Sequence, residues 1–305
     1  MNVLEIRDLY KQFGSHKVID GVSIDVPENC IYGFLGQNGA GKTTTMNMIV
    51  GLLAADSGNI RVCGKEVKYG ETKTNAIIGY LPDVPSFYGY MKPLEYLKMC
   101  GEISGMKADK ITCRSKELIK LVGLEEVNRK IGGFSRGMKQ RLGIAQALLH
   151  EPQLLICDEP TSALDPLGRK ELLDILKQAK QQTTVLFSTH ILSDVESICD
   201  EIAILHQGKI VMSGNLEELK VRHSDNVITM SFFAEEEQYS YTDGLLAVAG
   251  VKDIETKGRI CHIQVEDTKE TGKLLLKRAV DKKLSLQGYE VQEPTLEKMF
   301  LEVIK

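Results

Sequence analysis

Gly36-Gln37-Asn38-Gly39-Ala40-Gly41-Lys42-Thr43-Thr44 decides the fold class of this chain. Ahead of it, Ile31-Tyr32-Gly33-Phe34-Leu35 is short and mostly apolar, as a buried parallel strand is. Behind it, residues 43–53 keep helical spacing through Met46, Ile49, Val50 and Leu53. A strand, a glycine-rich loop and a helix in that order make the phosphate-binding unit of an α/β nucleotide protein. The glycines let several backbone N–H groups turn toward one anion, and the helix N-terminus adds positive dipole. Lys42 then neutralises β/γ-phosphate charge, and the Thr43 hydroxyl is placed to ligate Mg²⁺. The expected ligand is a nucleoside triphosphate.

A second stretch, Gln153-Leu154-Leu155-Ile156-Cys157-Asp158-Glu159, is an apolar run ending in two adjacent carboxylates. A buried strand would deliver both acids to the carboxyl edge of a sheet, where open α/β sheets bind their ligands. If this strand neighbours the one before Gly36, Asp158 reaches Mg²⁺ through its water shell. Glu159, one residue on, can then orient or deprotonate an attacking water. Between the two stretches lies Phe134-Ser135-Arg136-Gly137-Met138-Lys139-Gln140-Arg141, leading into a helical pattern. Ser135 sits where an N-cap belongs, and Gly137 allows close backbone approach, so this helix start is a second candidate anion site.

In combination these motifs resemble the nucleotide-binding subunit of an ATP-binding cassette (ABC) transporter, over roughly residues 2–216. The resemblance assigns ATP to residues 36–44, metal to Asp158 and Thr43, the catalytic glutamate to Glu159 and the signature to Ser135, Arg136, Gly137 and Met138. Ser162-Ala163-Leu164-Asp165 is similar to the family's D-loop, His190 to its switch histidine, and Phe13 to the aromatic that stacks on adenine. A histidine at a strand's carboxyl end is suited to contact the γ-phosphate and fix the attacking water. The family architecture also accounts for two anion sites: ATP on one domain is covered by the signature of a second, so the active form is a dimer, most simply of two copies.

Two positions depart from the family pattern. Arg136 and Met138 replace its usual glycine and glutamine, and Asp83 stands where a glutamine normally ligates Mg²⁺ and senses the membrane subunit; an acid there is expected still to hold the metal through water, though it is shorter and charged. Together with an extra C-terminal segment, these departures resemble the exporter branch that includes bacitracin, multidrug and sodium efflux systems.

At 305 residues with 43% hydrophobic content, the chain has material for one large domain and one smaller one. A formal net charge of −4 gives no bulk electrostatic argument for a nucleic-acid partner. The seven cysteines form no metal-ligand spacing and no paired framework, as in a reducing cytosol. The N-terminus lacks the apolar core of a signal peptide, and no apolar run approaches the ~20 residues needed to span a bilayer. A separate membrane permease is therefore expected, with this chain peripheral on the cytoplasmic face.

The expected organisation is an α/β ABC cassette over 1–216, with a helical arm carrying the signature over about 86–150, and a small α+β accessory domain over 217–305. Within the latter, strands are expected over 227–233 and 258–265 and a helix over 271–283. A final helix carries an apolar stripe of Leu296, Met299, Phe300, Val303 and Ile304. Glu235-Glu236-Glu237 reads as a solvated loop. The reading from another class is a soluble ABC ATPase acting on ribosomes or DNA, which usually carries paired cassettes or a long coiled-coil insertion. A P-loop kinase or GTPase would leave Ser135, Asp165 and His190 unexplained.

Overall fold

The computed structural model describes residues 1–71, 73–222, 226–292 and 295–303. The chain forms two compact units, Met1–Leu216 and Glu217–Val303.

In chain order the first unit contains β1 (Asn2–Phe13), β2 (His16–Pro27), β3 (Ile31–Gly36), α1 (Lys42–Ile49), β4 (Ser57–Val62), β5 (Lys65–Glu66) and β6 (Ile78–Leu81). The helices α2 (Pro93–Ile103), α3 (Ala108–Leu121) and α4 (Arg136–Leu148) follow as an arm. Then come β7 (Leu154–Asp158), α5 (Pro166–Ala179), β8 (Thr184–Thr189), α6 (Leu192–Ile198), β9 (Glu201–His206) and β10 (Lys209–Asn215), with α7 (Leu216–Arg222) beginning at the unit's last residue.

β1, β2, β4 and β5 make an antiparallel sheet. The second sheet has the order β10-β9-β3-β8-β7-β6, parallel throughout except for the β10 edge. β3, β7 and β8 are buried at every position, as strands covered on both faces must be. Met46 and Ile49 of α1 share one core with Leu4 and Ile24 of the first sheet and with Phe34, Ile156 and Leu186 of the second. In the arm, Pro93 opens α2, and the Glu95 carboxylate accepts the Lys92 backbone N–H at 2.8 Å. Tyr96 Oη donates to Gln146 Oε1 at 2.9 Å and ties α2 to α4.

Two expectations change here. The strand ending in Asp158 is not the neighbour of β3, because β8 lies between them. Residues 184–189 come later in the chain, but crossover connections free strand order from chain order, and this fully buried segment takes the central position. The helix after the phosphate loop ends at Ile49, short of Leu53, since Gly51 adopts φ 72° and turns the chain out of helical geometry.

The second unit contains β11 (Val227–Phe232), α8 (Glu235–Thr242), β12 (Val251–Lys257), β13 (Ile260–Val265), α9 (Thr268–Asp281), β14 (Leu286–Val291) and α10 (Leu296–Val303). Its antiparallel sheet runs β12-β13-β11-β14. Ile228, Met230 and Phe232 on alternate positions of β11 share a core with Tyr241 of α8 and Leu275 of α9, and Tyr241 Oη donates to the Leu275 carbonyl at 3.0 Å. Glu235-Glu236-Glu237 is the first turn of α8, not a loop. Acids in that position are favoured by the positive end of the helix dipole, which a reading of charge alone does not capture. Ile304 of the proposed apolar stripe, and the side chain of Val303, lie outside the described residues.

Candidate functional site

The phosphate loop joins β3 to α1. Gly41, the residue before α1, has φ 109°, and a Cβ there would lie 2.5 Å from Ile19 Cδ1. At Gly36 a Cβ would meet the Leu205 carbonyl at 2.6 Å. Both positions demand glycine, and the loop is thereby held against β2 and β9. Lys42 is buried, and Nζ donates to the carbonyls of Gly36 at 2.7 Å and Gln37 at 3.2 Å. Thr43, one residue on, is exposed and Thr44 half-buried. Gln37, Asn38, Gly39 and Ala40 line a groove of about 290 Å³ together with His16 and His206.

Asp158 and Glu159 leave the end of β7 in different directions. Asp158 is buried, and its Oδ1 accepts the Ser188 hydroxyl of β8 at 2.6 Å. Glu159 takes φ 50°, an uncommon conformation for a residue with a side chain, and its N–H donates to Ser188 Oγ at 3.1 Å. This turn sends the carboxylate to Lys42, with Oε1 3.0 Å from Nζ, while Oε2 lies 2.8 Å from His190 Nδ1. Lys42, Glu159 and His190 thus form one continuous chain from the phosphate loop to the end of β8. A carboxylate held between a buried cation and an imidazole is equipped to hold a water and move its proton. The hard oxygen donors of Thr43 and Asp158 fit Mg²⁺ in kind.

Ser135 caps α4, accepting the Met138 N–H on Oγ at 3.2 Å, and Arg136 and Gly137 are the first two helical residues. Asp165 occupies the N-cap position of α5, though its side chain makes no capping hydrogen bond. Phe13 ends β1 and is 50% exposed, with Lys11 Nζ 5.3 Å from its ring centre, so one aromatic face remains available for stacking. Asp83 follows β6, and its carboxylate accepts Ser162 Oγ at 2.7 Å and Arg136 Nη2 at 3.2 Å.

A family profile described as "ABC transporter" matches residues 19–162, and one described as "ATP-binding protein DrrA1-3-like, C-terminal domain" matches residues 214–304. The ABC transporter ATP-binding protein YxlF of Bacillus subtilis is 39% identical over 99% of this chain and 99% of its own length. The chain belongs to the ABC transporter ATP-binding protein family. The bacitracin transport ATP-binding protein BcrA of Bacillus licheniformis is 42% identical over 72% of each chain. The linearmycin resistance ATP-binding protein LnrL of Bacillus subtilis is 33% identical over 98% of this chain and 97% of its own. Among solved structures, an ATP-binding subunit of an ABC transporter superposes with a TM-score of 0.65 at 32% identity, covering 72% of this chain and 92% of the other. The fold is that of an ABC cassette with a DrrA-like C-terminal domain, and ABC proteins of this kind bind and hydrolyse ATP.

Sequence reasoning missed three groups at this site. Ser188 reaches Asp158 only through the register that sets Asp158 opposite Ser188, for which the sequence carries no signal. The contact of Asp83 with Arg136 and Ser162 joins three segments distant in the chain; the two unusual residue types were the available clue. Asp194 on α6 is buried beside Arg169, 3.9 Å from its Nε, and burial pushes its carboxyl up against the opposing pull of Thr161 and Arg169.

Proposed function

We propose that this chain is the ATPase subunit of an ABC exporter, acting on the cytoplasmic face of the membrane with a separate permease that holds the transport path. Residues 1–216 are the ATP-binding cassette and 217–305 the accessory domain. Phe13 stacks on adenine, residues 36–44 cradle the phosphates, and Lys42 turns from its own loop carbonyls toward the β/γ-phosphates. Thr43 and Asp158 would hold Mg²⁺, which would supply charge neutralisation on the phosphate oxygens. Glu159 takes the proton of the attacking water, and His190 fixes that water and the γ-phosphate. Ser135, Arg136, Gly137 and Met138 cover ATP held by a second copy, with Asp165 in the loop that faces the partner.

The observation that carries this reading is the Lys42–Glu159–His190 chain, in which a general base, a phosphate-binding cation and an imidazole converge at the carboxyl edge beside the glycine loop. Export as the direction of transport rests on full-length likeness to a resistance ATP-binding protein and on likeness to bacitracin transport ATP-binding proteins. Among the described residues no helix is long and apolar enough to cross a membrane, in keeping with a pore supplied by another chain. Relatives matched along nearly the whole chain are named for ABC transporters, so a ribosomal or DNA-bound role has no observation in its favour.

The test is Glu159→Gln. Turnover should fall by at least about a hundredfold while ATP still binds, and light scattering should then find an ATP-dependent dimer. Hydrolysis within about threefold of the parent chain would remove Glu159 from the role of base.

A further inference from the structure

Arg136 and Asp83, the residues that replace the family's usual glycine and glutamine, meet in space. Arg136 Nη2 donates to Asp83 Oδ1 at 3.2 Å and to Ser162 Oγ at 3.3 Å, and Ser162 Oγ donates to the same Oδ1 at 2.7 Å. The backbone beneath this contact is fixed, because the buried Gln140 of α4 donates Nε2 to the Asp83 carbonyl at 2.6 Å. The charged tips are not fixed in the same way. Each is 46% exposed, and a single N–H joins them.

A half-exposed, single-contact ion pair contributes little and exchanges readily for a better anion. A triphosphate is that better anion: it carries more charge, and its oxygens accept the planar guanidinium fork bidentately. Arg136 lies directly beside Ser135, the residue assigned above to nucleotide held by the second copy, so the guanidinium is within the same short segment that the triphosphate must approach. Asp83 and Ser162 occupy it meanwhile.

We propose that Arg136 is a phosphate-binding residue acting across the dimer, and that Asp83 holds its guanidinium until the terminal phosphate of the partner-bound ATP replaces the carboxylate. The exchange rests on the composite-site reading given above. It removes Arg136 from Asp83, leaves the Ser162 hydroxyl as the carboxylate's remaining partner, and so reports nucleotide closure to the loop after β6 and to the segment leading into α5. Asp83 is in this respect a positioning residue, since it acts through Arg136.

The measurement is the Mg-ATP concentration that half-saturates dimer formation, followed by light scattering in full-length Glu159→Gln protein. Adding Arg136→Gln should raise it about tenfold, and Arg136→Lys, which keeps the charge but loses the fork, should recover part of that loss. Asp83→Asn should lower it about threefold by releasing the guanidinium. Because Asp83 acts only through Arg136, the Asp83→Asn/Arg136→Gln pair should match Arg136→Gln alone. An Asp83→Asn protein that needs more ATP, as loss of a structural clamp would require, overturns the exchange, as does an Arg136→Gln protein with an unmoved midpoint. If the Glu159→Gln parent itself stays monomeric at saturating Mg-ATP, the composite site falls and the exchange with it. A parent that dimerises while the Arg136 and Asp83 variants fail these expectations removes the exchange alone.

Discussion

Lys42 Nζ stands 3.0 Å from Glu159 Oε1, so the ammonium at the start of α1 and the carboxylate just after β7 neutralise each other across the sheet edge. Both are largely withdrawn from water, with side chains 5% and 11% exposed. The contact is an ion pair in which Oε1 receives no well-aligned hydrogen bond. Lys42 is instead aligned on the carbonyls of Gly36 and Gln37. A triphosphate entering the loop would present a stronger anion to Lys42 and draw it off all three partners, leaving the carboxylate to water and to His190.

Lys42→Ala should therefore lose ATP binding by at least about a hundredfold, because an unneutralised triphosphate then faces only backbone dipoles. Calorimetric titration with Mg-ATP measures this directly. Affinity close to that of the unaltered chain would mean that the loop amides alone suffice.

Ser135→Arg should block dimerisation in the Glu159→Gln protein, since it places a bulky side chain where the α4 N-cap has to meet nucleotide on the second copy. Nucleotide should still bind the separate subunits through the phosphate loop. Light scattering with and without Mg-ATP decides, and an unchanged ATP-bound dimer counts against a composite site.

Asp194→Asn should raise Tm at neutral pH. Burial raises the folded-state pKa of Asp194 above its ordinary value of 3.8, so the fold favours the protonated acid. The stability tied to that proton is complete below the unfolded pKa and is lost as pH rises through the folded value. An amide removes the loss, so the advantage of the variant should shrink as pH falls toward ~4. Thermal melts of both proteins across that range test it, and a variant destabilised equally at every pH would show that the contact with Arg169 matters more than the buried charge.

A chain ended at Leu216 should fold and bind Mg-ATP with an affinity within about threefold of the full chain. Every residue assigned to nucleotide precedes that point, and the second unit has a core of its own around Phe232, Tyr241 and Leu275. The expected loss is in dimer stability or in the response to the permease. A folded short chain that fails to bind would place part of the nucleotide site beyond residue 216, and unaltered permease-coupled activity would reduce the accessory domain to an appendage.

The local features of this protein were legible in its sequence because they depend on near neighbours. A glycine loop between an apolar run and a helical pattern, a serine before a helix, and two acids at the end of a buried strand are each determined by backbone conformation over a few residues. The α/β class and the α+β character of residues 217–305 follow from the same periodicities. Legibility failed even locally where two causes competed: the three glutamates 235–237 carry the charge of a loop, yet the dipole of α8 accommodates them as its first turn.

What only the tertiary structure decided is which of those features touch. β8 enters between β3 and β7 from later in the chain, and its register then sets Ser188 against Asp158 and brings His190 to Glu159. The left-handed turn at Glu159 selects Lys42 as its partner, and the packing of α4 brings Arg136 to Asp83 and Ser162. Strand order and register are set by the burial of whole faces and by long crossovers, quantities summed over the entire core, and no short stretch of residues encodes them.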